Sequence, residues 1–184
     1  ECGVSVTANA AGTLEKLRLQ GKASILVAVN GQCVGVIALS DVLRSEASAM
    51  VQKLTAMQTN TVLLTGDNQK TADYFAAQVG IHEVYADLLP EDKVGNIAAL
   101  QKHGRNVCMI GDGVNDAPAL KTASVGVAMG SMGSDIAVEA ADIALMSDDI
   151  SKIPYLKRLS TATVKTIKLS ITLSMCINFL AVTL

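Results

Sequence analysis

Aromatic residues are scarce in this sequence. Trp is absent, and aromatic side chains make up 3% of the 184 residues. Nucleic-acid-binding domains combine basic surfaces with aromatic rings that stack on bases, whereas the formal net charge here is -2. We therefore expect no nucleic-acid partner. Half of the residues are hydrophobic and 17% are charged, so the composition excludes intrinsic disorder for most of the chain.

Cysteines are also few and widely spaced. Cys2, Cys33, Cys108 and Cys176 form no C-x-x-C pair. This spacing fits neither a zinc ribbon nor a disulfide framework, so we expect a reducing compartment.

The sequence lacks an initiator Met and a signal peptide, since it begins at Glu1 without the basic and apolar regions that a signal peptide needs. Residues 169–184 are uncharged and end at the last residue, short of the ~20 residues that cross a bilayer. Lys165 and Lys168 precede this run, as is typical of a cytoplasmic flank. We expect a chain cut at both ends that stops inside a membrane helix. A buried C-terminal helix is the alternative.

The order of the apolar runs predicts an α/β fold. Residues 24–29 and 33–39 are β-rich and are joined by Asn30-Gly31, which predicts an antiparallel hairpin because both turn residues need a positive φ. After residue 41, short apolar strands alternate with helices, which predicts a parallel sheet with helices on both faces. The predicted strands are 61–65, 83–86, 106–110, 124–129 and 142–146, and the predicted helices are 44–58, 71–79, 91–103, 117–122 and 134–140.

Polar residues follow the first of these strands, in the string Thr65-Gly66-Asp67-Asn68. The chemistry of parallel sheets lies at the carboxyl ends of the strands, where the Thr65 hydroxyl is expected. Gly66 permits a sharp turn, and Asn68 can cap a helix whose free N–H groups favour an anion. An ordinary strand–turn–helix connection is the alternative.

A denser polar cluster follows the strand predicted at 106–110. Residues 111–116 contain two Asp, one Asn and two Gly, and Asp112 and Asp116 flank a glycine turn. Mg²⁺ prefers oxygen ligands and keeps several waters, so one or two carboxylates plus phosphate oxygens suffice to hold it. The pattern G-x-G-x-x-G of dinucleotide-binding proteins is excluded, because its last position is Asp116.

One lysine also lies at a position that is electrostatically unfavourable for a cation. Lys93 lies in the first turn of the predicted helix 91–103, where the helix dipole disfavours a cation. We infer that Lys93 faces an anion, for which a phosphoryl oxygen is the natural candidate. A solvated lysine beside Glu91 and Asp92 is the alternative.

This ordered set resembles the haloacid dehalogenase superfamily of phosphoryl-transfer enzymes. Four longer strings are similar to the P-type ATPases, and residues 126–157 most resemble the heavy-metal branch of that family. The strings are Asp41-Val-Leu-Arg-Ser-Glu46, Leu64-Thr-Gly-Asp-Asn68, Leu89-Pro-Glu-Asp-Lys93 and Met109-Ile-Gly-Asp-Gly-Val-Asn-Asp-Ala-Pro-Ala-Leu120.

The resemblance implies a division of the chain. Residues 1–40 correspond to the C-terminal tail of a nucleotide-binding domain. Residues 41–150 correspond to a haloacid dehalogenase-like, Rossmann-like phosphorylation domain that lacks its nucleophile strand. Residues 151–184 correspond to a linker and a truncated transmembrane helix.

The resemblance also implies roles at the matching positions. Thr65 and Lys93 are expected to hold the transferred phosphoryl group. Asp112 is expected to bind Mg²⁺, with Asn115 and Asp116 ordering the site, Asp116 as an indirect or second-shell ligand.

Three further positions match those that contact bound nucleotide in the family, which makes ATP the expected substrate. They are Arg44, Gly66 and Asp67.

The nucleophile of the family is absent from the sequence. It is an Asp in an Asp-Lys-Thr-Gly-Thr string, and no Asp here is followed by Lys-Thr-Gly. A carboxylate is needed to form an aspartyl-phosphate. The resemblance therefore implies a segment of an ATP-driven pump, active in the parent protein and inactive alone.

The transported metal is less constrained. Asn178 falls where copper pumps carry Tyr-Asn, but Ile177 precedes it. Other features are closer to zinc and cadmium pumps. We expect zinc, cadmium or lead export, with a copper pump as the alternative and Asn178 as a transported-metal ligand or a packing residue.

The expected location is a membrane, the plasma membrane of a multi-pass parent, with residues 1–160 on the cytoplasmic side. The lipid bilayer, ATP and the metal cation are the expected partners, and no obligate protein partner is inferred. Two rivals remain: a soluble haloacid dehalogenase-like phosphatase, which predicts no membrane helix, and a binding module that does not react.

Overall fold

The computed structural model describes residues 6–19, 21–39, 42–111, 114–130 and 135–183. Seven strands and seven helices lie in this part of the chain, together with a 3-10 helix at Val114–Asp116. The strands are β1 (Ala23–Val29), β2 (Gln32–Leu39), β3 (Val62–Leu64), β4 (Glu83–Tyr85), β5 (Cys108–Gly111), β6 (Val125–Met129) and β7 (Ile143–Leu145). The helices are α1 (Ala8–Leu19), α2 (Ala47–Ala56), α3 (Gln69–Val79), α4 (Pro90–Lys102), α5 (Ala117–Thr122), α6 (Asp135–Ala140) and α7 (Lys152–Thr183).

The predicted hairpin is confirmed. β1 and β2 pair antiparallel, and the turn residues Asn30 and Gly31 have φ values of 48° and 77°. Both values lie in the left-handed region, which Asn and Gly adopt at lower cost than other residues.

Helix α1 was not predicted. It packs against β1, β2 and α3, and Lys70 of α3 forms an ion pair with Glu15 of α1. The apolar residues of α1 show no stripe of helical period, so the sequence carries no amphipathic signal there.

The parallel strands form two sheets where one was expected. β3 pairs with β4, and β5, β6 and β7 form a three-stranded parallel sheet in that order. Among the described strands, none connects β3 to β5 by hydrogen bonds. Leu64 of β3 nevertheless packs on the core cluster that contains Met109 of β5, so the two sheets share apolar contacts.

The core lies between the three-stranded sheet and its helices. Ile97 of α4, Leu120 of α5 and Val127 of β6 are the largest fully buried side chains. A second cluster joins Leu54 of α2, Met129 of β6 and Ile153 of α7. The predicted α/β class with parallel strands and covering helices is thus confirmed.

Helix α7 is longer than the predicted membrane segment. It begins at Lys152, so most of the predicted linker is helical, and the uncharged run forms only its second half. Within the described residues, α7 is long and apolar enough to cross a membrane. All side chains from 169 to 183 are exposed, which does not fit the alternative of a buried helix.

Candidate active site

The end of β3 holds the Thr65 hydroxyl in a tight turn. The Thr65 N–H donates to the carbonyl of Tyr85 at 3.0 Å, which extends the pairing of β3 with β4. The Thr65 hydroxyl donates to Asp67 Oδ2 at 2.9 Å and accepts from the Asp67 N–H at 3.1 Å. A Cβ on Gly66 would lie 3.3 Å from the Leu88 carbonyl oxygen, so a glycine suits this close approach. Thr65, Gly66 and Asp67 therefore form one polar turn.

The next residues complete the turn and start α3. Asn68 Oδ1 accepts from the Thr71 N–H at 3.1 Å, which is the predicted helix cap. Asp87, which sequence reasoning missed, has a φ of 53° and accepts from the Gln69 N–H at 3.2 Å. Its N–H donates to the Asp67 carbonyl at 2.7 Å. The available signal was its position two residues after β4, matching the polar residues that follow β3.

The segment that starts α4 and carries Lys93 is hydrogen-bonded to the end of β3. The Leu88 N–H donates to the Thr65 carbonyl at 3.1 Å, and Leu89 occupies the N-cap position of α4. The Leu89 N–H donates to Asp92 Oδ2 at 3.0 Å, which places the Asp92 carboxylate at the positive end of the helix. The residue Thr65 is thus hydrogen-bonded to the short segment that leads into α4, whose first turn contains Lys93.

Lys93 forms an ion pair with Asp116, whose side chain lies 23 positions further along the chain. Lys93 Nζ lies 2.7 Å from Asp116 Oδ1, and the two side chains are only 16% and 15% exposed. A charge-assisted hydrogen bond with this little solvent is stronger than a surface ion pair. The structure therefore brings two of the predicted site residues into direct contact, and Lys93 is not a solvated lysine.

Asp116 is placed by the end of β5. It closes the 3-10 helix and precedes α5, and a Cβ on Gly111 would lie 2.8 Å from Asp116 Oδ2. Only a glycine leaves the aspartate this space. Asn115 lies in the same 3-10 helix and is exposed. Asp112, the expected Mg²⁺ ligand, lies outside the described residues.

Arg44, in the segment before α2, lines a cavity that Asp116 also lines. This open cavity has a volume of about 250 Å³ and is also lined by Gly111 and Asp148. The Arg44 guanidinium donates to the backbone carbonyl of Asp148, a partner that the sequence did not indicate. The cavity lining does not include Gly66 or Asp67, so the three predicted nucleotide-binding residues are divided between the cavity and the β3 turn.

Asn178 lies far along α7 and is exposed. In the structure it belongs to the apolar helix and not to the cavity.

The groups at this site suit phosphoryl chemistry. They are the Lys93 cation, the Thr65 hydroxyl, the Asp116 carboxylate and two glycines, one after β3 and one at the end of β5. Oxygen donors of this kind match Mg²⁺ bound with phosphate. Among the described residues, no three His, Cys, Asp or Glu side chains gather into a metal site.

Comparison with protein families matches residues 5–124 to the model of haloacid dehalogenase-like hydrolases. The chain is 44% identical over 169 residues to a protein of Staphylococcus aureus strain MRSA252 described as a probable cadmium-transporting ATPase. This match covers 91% of the chain and 23% of that protein. The human copper-transporting ATPase 2 is 39% identical over 180 residues, which is 98% of the chain and 12% of that protein.

A crystal structure of a zinc-transporting PIB-type ATPase superposes with a TM-score of 0.78 at 39% identity. The superposition covers 91% of this chain and 27% of that protein. The chain therefore spans about a quarter or less of the length of these relatives. It belongs to the haloacid dehalogenase-like hydrolase family, within which these relatives are metal-transporting P-type ATPases.

Proposed function

We propose that this chain is the phosphorylation-domain segment of an ATP-driven pump that exports a heavy-metal cation of the zinc, cadmium or lead type. The observation that carries the proposal is the shielded Lys93–Asp116 ion pair at the carboxyl ends of the parallel strands. The similarity to cadmium- and zinc-transporting ATPases supports the choice of cargo.

In this proposal the residues of the site position a phosphoryl group and neutralise its charge. Lys93 faces the phosphoryl oxygens, and the Thr65 hydroxyl, now bonded to Asp67, turns to donate to one of them. Asp112 would hold Mg²⁺, with Asp116 and Asn115 ordering the site. A Mg²⁺ ion held there would further neutralise the phosphate charge. The aspartate that accepts the phosphoryl group comes from a part of the pump outside these 184 residues.

The nucleotide is expected to contact Arg44, Gly66 and Asp67. Arg44 already faces the cavity beside Asp116, where its guanidinium suits an oxygen of ATP. Gly66 and Asp67 lie in the β3 turn, and the division of the three residues fits a ligand that spans both places.

Helix α7 is expected to enter the lipid bilayer. Its exposed apolar half begins at Leu169 and follows Lys165 and Lys168. Basic residues at this position support a cytoplasmic location of residues 1–160, beside what we propose is the plasma membrane. Asn178 then lies within the membrane, where a ligand for the transported cation is needed. A copper pump is the second candidate, since the similarity to copper-transporting ATPase 2 covers 98% of the chain.

The test is ATP hydrolysis by the intact pump in the presence of Zn²⁺, Cd²⁺, Pb²⁺ or Cu⁺. We expect stimulation by the divalent ions. Asp112→Asn should abolish the Mg²⁺-dependent phosphoenzyme, because the amide is a poorer ligand for a hard cation. Stimulation by Cu⁺ alone would favour the second candidate. A wild-type protein that hydrolyses ATP without any metal response would contradict the transport proposal, and full labelling of Asp112→Asn would remove Asp112 from the magnesium site.

A further inference from the structure

Asp142 lies outside the candidate active site, yet it makes two hydrogen bonds to one residue of the central strand. Asp142 Oδ2 accepts from the Gly126 N–H at 2.8 Å, and the Asp142 N–H donates to the Gly126 carbonyl at 2.9 Å. Gly126 belongs to β6, and Asp142 immediately precedes β7. The pair therefore forms a closed ring that fixes the start of β6 against the segment that enters β7.

The end of α5 also lies very close to Gly126. A Cβ at Gly126 would lie 2.6 Å from the Leu120 carbonyl oxygen and 3.1 Å from its carbon. Real Cβ contacts are longer, so any side chain here would push the end of α5 away from β6. Leu120 is 1% exposed, which leaves this part of α5 little room to move elsewhere.

Helix α5 cannot hold its own position. It has six residues, and a helix this short is not stable without tertiary contacts. Its buried residues Ala117, Ala119 and Leu120 supply those contacts, and Asp116 stands at its N-terminal end. The placement of Asp116 opposite Lys93 therefore depends on how α5 sits on β6.

We propose that Asp142 is a positioning residue for the Lys93–Asp116 pair, acting through Gly126 and α5. This inference rests on the proposed function, because it assigns Asp142 to the same phosphorylation site. The side chain touches no reacting group. It fixes Gly126, against which the Leu120 end of α5 rests, and thereby sets the distance between Lys93 Nζ and Asp116 Oδ1.

The experiment measures the initial rate of phosphoenzyme formation from labelled ATP in the intact pump, at a series of Mg²⁺ and ATP concentrations. Asp142→Ala removes the acceptor, and Gly126→Ala adds the clashing methyl group. Both variants should lower the rate by about tenfold or more and leave the KM for ATP unchanged, since small misplacements of active-site groups have effects of this order. Asp142→Asn should recover the rate to within about threefold of wild type, because its amide oxygen still accepts from the Gly126 N–H.

Glu139→Ala is the matched control, because Glu139 is an exposed acidic residue three positions earlier, and it should match wild type. Adding Asp142→Ala to a Lys93→Met protein should cause little further loss of the phosphoenzyme rate if both substitutions act through the Lys93–Asp116 pair. If Asp142→Ala does not fold, Asp142→Glu provides the same test, since it keeps the charge but displaces the acceptor by one methylene and should also slow the rate.

Three results would overturn the inference: an unchanged rate in Asp142→Ala or Asp142→Glu, an Asp142→Asn variant as slow as Asp142→Ala, or a rise in the KM for ATP without a fall in rate. These outcomes differ from failure of the proposed function, in which the wild-type protein itself forms no phosphoenzyme.

Discussion

At the scale of single residues, the site depends on side chains that the fold keeps partly away from water. Lys93 and Asp116 are the main example, and Gly111 leaves the space that the Asp116 carboxylate occupies. Asp142 and Cys108, by contrast, are exposed residues, and the negative charge of the Asp142 carboxylate acts on the Cys108 thiol. Desolvation, and next the Asp142 carboxylate, hold the pKa of Cys108 above its ordinary value.

This shift predicts slow alkylation of Cys108. The thiolate is the reactive form, and a raised pKa lowers the thiolate fraction at any given pH below it. Cys108 should therefore react with iodoacetamide only at higher pH than the same cysteine in the denatured protein.

Asp142→Asn removes the negative charge, so the alkylation midpoint should move to lower pH without reaching the denatured value, because the desolvation remains. Peptide-resolved mass spectrometry gives the midpoints, and an unchanged midpoint in Asp142→Asn would show that the carboxylate is not beside the thiol.

At the scale of elements, side-chain hydrogen bonds at both ends of α2 join it and its flanking residues to α7 and the segment before α7. Arg44, before α2, donates to the Asp148 carbonyl, and Lys157 of α7 donates to the Met57 carbonyl at 3.2 Å and to the Thr59 hydroxyl. Leu54 and Ile153 pack between these contacts. The Lys157 ammonium thus lies at the C-terminal end of α2, where the helix dipole favours a cation.

We expect Lys157 to couple the proposed phosphorylation site to α7, the proposed membrane helix. Lys157→Met keeps most of the apolar stem but loses charged hydrogen bonds, which contribute about 1.5–3 kcal/mol. That is about tenfold or more in the equilibrium that docks α7 on α2. The variant should still form phosphoenzyme, whereas metal-stimulated ATP turnover should fall several-fold. The measurement is the ratio of turnover to phosphoenzyme level.

Lys157→Arg should retain coupling, because a guanidinium can make the same bonds, and the exposed Lys165 provides the control variant Lys165→Met. Equal losses in Lys157→Met and Lys165→Met would mean that charge near the membrane matters and docking on α2 does not.

Local chemistry explains which elements the sequence predicted well. The Asn30-Gly31 turn and the end of α3 at Gly80, with a φ of 82°, each depend on residues within the turn itself. The start of α7 was missed because Ile153 is held by Leu54, about one hundred positions earlier. The contact between Arg44 and Asp148 leaves no sequence signal either, since its acceptor is a backbone carbonyl.

At the scale of the whole molecule, two apolar surfaces are exposed in the part of the chain that the structure describes. One is on the hairpin, where Ile25, Val34 and Ile37 are each more than half exposed, and the other is the second half of α7. Apolar surfaces of this extent are normally covered by protein or lipid. In the proposed pump, we expect the rest of a nucleotide-binding domain to cover the hairpin and the bilayer to surround α7.

The central claim is that the strand ends form one site that holds a phosphoryl group, with Lys93 as its cation. Incorporation of labelled phosphate into the intact pump from ATP and Mg²⁺ tests this most directly, comparing wild type with Lys93→Ala and with Lys102→Ala, a lysine at the other end of α4. The account predicts wild-type labelling for Lys102→Ala and a loss of about a hundredfold or more in rate for Lys93→Ala, as for other groups that stabilise transition-state charge. Labelling of Lys93→Ala at the wild-type rate would contradict the account.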